Sequence, residues 1–254
     1  MKKIGLIILL GLIGLSGNVR AQFGDYGVKL GVGLATIEDD LSSKSPVLGL
    51  NIGGYIDYTF AQSQSVLAEI FYLQTGLNLI HRGSNFEEVR EEQNQLTVRT
   101  GQYSSWYAQI PILAGVHMEL PIRKAGHVVG FYLGPAISVG LFGTFSDRMV
   151  THSNPSYAAN YDLSTNGTPA DRAVFNHINR FDVSAIFGLS YEYRGFTASL
   201  FIDNGFLAIS EEKDVLRTID NTMSGSDNLN VEIPNGNNFA VMLSIAYRLG
   251  SLSK

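Results

Sequence analysis

Phe181-Asp182-Val183-Ser184-Ala185-Ile186-Phe187-Gly188-Leu189-Ser190-Tyr191-Glu192-Tyr193 alternates with a period of two. Phe181, Val183, Ala185, Phe187, Leu189, Tyr191 and Tyr193 share one parity, and Asp182, Ser184, Ile186, Gly188, Ser190 and Glu192 share the other. Successive side chains of a strand point to opposite faces, so this stretch describes a strand with one large apolar face and one mostly small or polar face. Tyr26 to Leu34 repeats the pattern, with Tyr26, Val28, Leu30, Val32 and Leu34 against Gly27, Lys29, Gly31 and Gly33. Eight segments carry it, roughly 24–37, 47–60, 65–80, 106–120, 127–146, 181–194, 196–209 and 238–249. In segment 65–80 Leu67, Phe71 and Leu73 share a parity with Glu69 and Thr75, a break that a β-bulge would absorb.

The connections between these segments are 38–46, 61–64, 81–105, 121–126, 147–180, Gly195 alone and 210–237, so every second one is short. Strict alternation of long and short predicts antiparallel neighbours with all long loops at one end. Membrane barrels of the outer-membrane type have this asymmetry, with short periplasmic turns and longer extracellular loops.

Volume decides which face points outward. Seven of the segments, leaving out 65–80, carry 39 large apolar or aromatic residues on the apolar parity. About a dozen large side chains fill the comparable core of an eight-stranded TIM barrel, and an eight-stranded interior is only just wide enough to be filled by side chains. The large residues therefore face out, and in water they would form an apolar surface far beyond what a soluble monomer tolerates. The aromatic positions agree. Trp106, Phe181, Phe206 and Phe239 fall near the loop ends of their strands, and Tyr26, Tyr58, Phe60, Tyr191, Tyr193, Phe196 and Tyr247 near the turn ends. Two aromatic girdles around an aliphatic middle suit a strand wall crossing two membrane interfaces. The expected fold is all-β: an eight-stranded antiparallel up-and-down transmembrane β-barrel with long extracellular loops and a filled lumen, in contact with outer-membrane lipid.

Composition supports this reading. Of 254 residues 45% are hydrophobic and only 16% charged, against about a quarter charged in soluble domains. With no Cys, disulfide scaffolds, thiolate metal sites and Cys nucleophiles are excluded. The balance of 18 Lys+Arg against 23 Asp+Glu leaves no basic footprint for nucleic acid. At the start, Lys2 and Lys3 precede an apolar run from Ile4 to Leu15, and Val19-Arg20-Ala21 precedes Gln22. This reads as a signal peptide over 1–21, too short for a membrane helix, with the barrel domain over 22–254. Its removal takes away Lys2, Lys3 and Arg20 and no acid, moving the net charge from −5 to −8.

Several short motifs, in order, resemble the PorT-like outer-membrane β-barrel family, also described as a porin family or outer membrane protein beta-barrel domain. They are Tyr26-Gly-Val-Lys-Leu-Gly31, Ile110-Pro-Ile-Leu113, Tyr132-Leu-Gly-Pro135, Gly188-Leu-Ser-Tyr-Glu-Tyr193 and Ile245-Ala-Tyr-Arg-Leu249. The resemblance spans nearly the whole mature chain. It implies an outer-membrane location after export and handling by the barrel-assembly machinery. Members commonly end their last strand on an aromatic residue, where this chain has Leu249 and a tail to Lys254. The family's namesake is linked to protein secretion, and an accessory role of that kind is one functional expectation.

Inward parity collects Lys29, Asp57, Glu69, His117, Glu119, Glu192 and Arg248 near the turn end, an expected polar network in the lumen. A structural ion-pair core is the simpler reading, since small barrels are filled by side chains; a gated polar path is the sharper one. Glu87 to Glu92 reads as a solvated mixed-charge loop. Asp220-x-Thr222-x-Ser224-Gly225 echoes a calcium loop but places Val231 where the bidentate Glu is required. His81, His152 and His177 lie in or beside separate loops, and no P-loop, GxSxG or HExxH motif is present. The expectation is therefore a non-enzyme without cofactor or metal, acting through its loops in surface contact or with an envelope or secretion partner. A loop-borne hydrolase or acyltransferase is the third class.

Overall fold

A computed structural model describes residues 22–38, 43–59, 70–92, 95–121, 126–152, 170–173, 179–208, 215–217, 230–232 and 236–251. Eight long strands form the wall: β1 (Gln22–Glu38), β2 (Ser43–Thr59), β3 (Phe71–Glu92), β4 (Gln95–Glu119), β5 (His127–His152), β7 (Phe181–Tyr193), β8 (Phe196–Gly205) and β11 (Asn237–Ser251). The short strand β6 (Ala170–Ala173) adds to β5, and β9 (Val215–Arg217) pairs with β10 (Asn230–Glu232) as a separate ribbon. Around the wall each long strand pairs antiparallel with its sequence neighbours, and β1 pairs with β11 to close it. This is the expected up-and-down barrel.

Closure requires the strands to be staggered. From Val32 the register runs one way through Leu50, His81 and Trp106 to Phe142. The other way it runs through Leu243, Leu200 and Leu189 to Phe131. The two routes reach β5 11 residues apart. That offset tilts the strands, and each strand's alternation is thereby converted into one continuous outer face.

The outer face is the one expected. Phe181, Leu189, Leu200 and Ile245 are 64%, 53%, 53% and 61% exposed, whereas Ser184 and Ser138 are fully buried. Of segment 65–80, residues 65–69 lie outside the described residues; from Phe71 to Ile80 the register with β2 and β4 holds without a bulge, and Phe71, Leu73 and Leu77 face out beside Thr75. The register shifts fall elsewhere, at Phe23/Tyr26, Tyr26/Gly27, Pro46/Leu50 and Trp106/Tyr107. The last of these flips parity on β5, leaving Leu141 and Phe142 both outside.

Three other details depart from the sequence reading. Loop 81–105 is mostly strand, because β3 runs to Glu92 and β4 begins at Gln95. Part of loop 147–180 is also strand, since β5 continues to His152. Above the girdle the inward positions Ser84, Phe86, Tyr103 and Ser105 stay buried, but the other face carries no run of large apolar residues, so the pattern that marks a lipid-facing strand fades while the backbone ladder persists. The β7–β8 turn is Arg194-Gly195 rather than Gly195 alone; both have positive φ, 52° and 82°, as a type I′ hairpin requires.

Candidate functional site

The lumen contains more large side chains than a small-inward rule allows. Ile80, Tyr103, Tyr107, Leu113, Ile186 and Met242 are all buried inside. Room for the tyrosines comes from glycine on the neighbouring strand. Tyr55 lies opposite Gly27, Tyr72 opposite Gly115 and Tyr132 opposite Gly188. A Cβ on Gly188 would stand 2.3 Å from the Tyr132 ring. Gly188→Ala is therefore expected to cost about 1–3 kcal/mol through overpacking, read as a lower denaturant midpoint in vesicles. The Tyr132→Leu/Gly188→Ala double variant should recover part of that loss.

At the level of the loop-side girdle the lumen is crossed by a buried charge cluster. Arg82 on β3 donates from Nη1 to Asp182 Oδ2 on β7 at 2.6 Å and from Nη2 to Asp203 Oδ2 on β8 at 2.5 Å. Gln109 on β4 donates to the same Asp203 oxygen at 2.8 Å, and Asn238 on β11 to Asp182 Oδ2 at 3.1 Å. The guanidinium lies 5.4 Å from the centre of the Tyr107 ring, whose hydroxyl is 2.6 Å from that of Tyr103. Five strands are thus tied across the barrel by groups that are at most 3% exposed. The alternation runs out at Ile80, which puts Arg82 in a loop, and it gives Asp182 and Asp203 no mark beyond their inward parity. A carboxylate inside an apolar strand such as Leu200-Phe201-Ile202-Asp203 was the available signal, because a buried charge demands a partner.

Toward the turn end the lumen opens into a cavity of about 670 Å³. Of the residues predicted there, Lys29, Asp57, His117, Glu119, Glu192 and Arg248 all line it, while Glu69 lies outside the described residues. They do not join into one closed network. Arg248 bridges Asp25, at 2.7 Å, and Glu192, all three half-exposed near the mouth. Asp57 accepts a hydrogen bond from Gln74 at 2.8 Å, and His117 stacks on Tyr72 with ring centres 3.9 Å apart. Glu119 is exposed at the rim, and Lys29 forms no ion pair among the described residues. The lumen is therefore packed in its loop-side half and hollow in its turn-side half. Planar-bilayer recordings should show no large, stable open steps; such steps would contradict the packed half.

The described girdle residues sit on the outer face, and Phe60 lies outside the described residues. Trp106 lies 6.2 Å from Phe142 at the loop side, and Phe196 lies 4.8 Å from Tyr247 at the turn side. Phe181, Phe206, Tyr26 and Tyr191 are exposed, and Tyr58, Tyr193 and Phe239 partly so. His81 is not a loop residue: its ring nitrogens contact the Leu48 carbonyl at 2.9 Å and the Ser104 hydroxyl at 2.8 Å beside Trp106. His152 ends β5, whereas His177 and the segment 220–225 lie outside the described residues.

A closed eight-stranded antiparallel wall, apolar outside and polar within, defines an integral outer-membrane β-barrel. The family model described as outer membrane protein beta-barrel domain matches residues 20–209, and the chain belongs to that family. Among solved structures it is similar to Ail, the attachment invasion locus protein of Yersinia pestis, alone and in complex with the heparin analogue sucrose octasulfate. Identities are 10% and 11%, with 89% of this chain and 99% of each Ail chain covered and TM-scores of 0.36 and 0.35. No curated protein matches the chain.

Proposed function

We propose that this barrel is a non-enzymatic surface protein that works through the sheet and loops it holds outside the membrane. The contact it makes is with a surface partner or with another component of the envelope. One observation carries this reading. β7 and β8 have 13 and 10 residues, enough to cross the membrane, whereas β3, β4 and β5 have 22, 25 and 26. Ahead of the girdle residue Trp106, β4 has a further 11 residues, Gln95 to Ser105, or about 35 Å of strand. A barrel that served only to anchor or to fill the membrane gains nothing from ordering so much backbone in water. β2 and β6 widen this projecting sheet at Ser43–Pro46 and Ala170–Ala173.

The test is a trimmed barrel. Glu87 and Thr100 face each other across the β3–β4 ladder, so residues 88–99 can be replaced by an Asn-Gly turn that closes a two-residue hairpin. The trimmed protein should insert and resist unfolding as before. Its cross-linked partners on intact cells should be lost relative to the full protein. An unchanged cross-linking pattern would contradict the proposal.

A further inference from the structure

The geometry points to the turn-side cavity as a binding site for a short zwitterionic ligand, a di- or tripeptide with both termini free. A volume of about 670 Å³ falls within the range of about 300–1,000 Å³ typical of small-molecule sites. The cavity opens at the end of the short turns, and its walls are set in advance. The rings of Tyr55, Tyr72 and Tyr132 are seated over Gly27, Gly115 and Gly188, so little rearrangement is needed to present them.

The charges select the ligand. At the mouth, Arg248 is occupied by Asp25 and Glu192. Glu119 and Arg194 line the cavity from exposed positions; behind them Lys29 on β1 and Asp57 on β2 stand without an ion pair among the described residues. Lys29 is opposite Gly53, and Asp57 lies four residues further toward the turn end of β2, about 13 Å along the strand. The two side chains thus start from positions four residues apart on neighbouring strands, and no ion pair joins them. Gln74 takes one oxygen of Asp57 and orients the carboxylate without neutralising it. A single anionic or cationic ligand would satisfy one group and face a like charge at the other. A peptide of two or three residues, about 7–10 Å when extended, places its carboxylate toward Lys29 and its ammonium toward Asp57. The serines and threonines on the wall, among them Ser190, Thr197 and Ser199, supply hydrogen-bonding groups for the amide. This inference is independent of the projecting sheet: it concerns the opposite end of the barrel.

Calorimetric titration of the full barrel in detergent micelles tests it, with Ala-Ala, N-acetyl-Ala-Ala, Ala-Ala-amide and the doubly capped peptide as probes. Ala-Ala should bind, and each single cap should weaken binding about tenfold or more, equivalent to about 1.4 kcal/mol. Lys29→Met should abolish the penalty for the C-terminal amide alone, and Asp57→Asn the penalty for the N-acetyl group alone. Absence of heat for Ala-Ala with folded wild-type protein, or binding indifferent to both caps, would overturn the proposal. The wild-type capping series decides the matter even if either variant fails to fold.

Discussion

Replacing Arg82 by Met is expected to destabilise the barrel by about 3–5 kcal/mol, the loss seen when one partner of a buried ion pair is removed. The guanidinium is 1% exposed and serves two carboxylates that are 3% and 0% exposed. Without it both acids remain in the lumen, and the Oδ1 atoms of Asp182 and Asp203 already have no hydrogen-bond partner among the described residues. The remaining donors, Gln109 and Asn238, carry no charge. The loss should therefore be strongly coupled. Arg82→Met/Asp182→Asn/Asp203→Asn should recover part of it, because no uncompensated charge then remains in the lumen. Urea titrations in phospholipid vesicles read both values. If Arg82→Met left the midpoint where it is, the cluster would not be the clamp described.

Leu200→Arg is the second large effect. Leu200 lies midway along β8 between the girdle residues Phe196 and Phe206, flanked by Leu189 and Leu243 on the adjacent strands. Arginine at the bilayer midplane of a barrel costs about 2–4 kcal/mol, falling to about 0–1 kcal/mol near an interface. The expected order of unfolding midpoints is thus wild type, then Phe196→Arg, then Leu200→Arg well below both. On a soluble protein the same change at an exposed leucine would lie within about 0.5 kcal/mol of zero. A loss of about 2 kcal/mol or more therefore reports lipid at that face.

The wall was legible in the sequence because lipid on one side and a narrow lumen on the other impose a two-residue period that no other arrangement of these residues satisfies. Phe181–Tyr193 carries it in full, and its outward set is the exposed set in the structure, apart from the small Ala185 and the partly covered Tyr193. The period ends where the membrane ends. From Ser105 the strand continues back to Gln95 with Ser105 and Tyr103 still buried, and the backbone pairs with β3 and β5 throughout, which the pattern of large apolar residues does not report. The turn-side charges were found because strand parity places them. Arg82 was missed because its strand was read as ending at Ile80, one residue before His81 and two before the cluster. The hollow below the plug was also hidden from the sequence. Its volume depends on which side chains lean across the lumen, as Tyr72 does over Gly115, and parity fixes only the face from which they start.

The claim on which everything else stands is that the parity of Phe181, Val183, Phe187 and Leu189 meets lipid while that of Asp182, Ser184, Ile186 and Gly188 meets the lumen. Single spin labels placed in turn along Phe181–Tyr193, with the protein in vesicles, test it directly through collision with oxygen and with a water-soluble nickel complex. Odd positions should show high oxygen and low nickel accessibility, deepest near Phe187 and Leu189, alternating with protected even positions. High oxygen accessibility at the even positions, or nickel accessibility along the odd ones, would contradict the account.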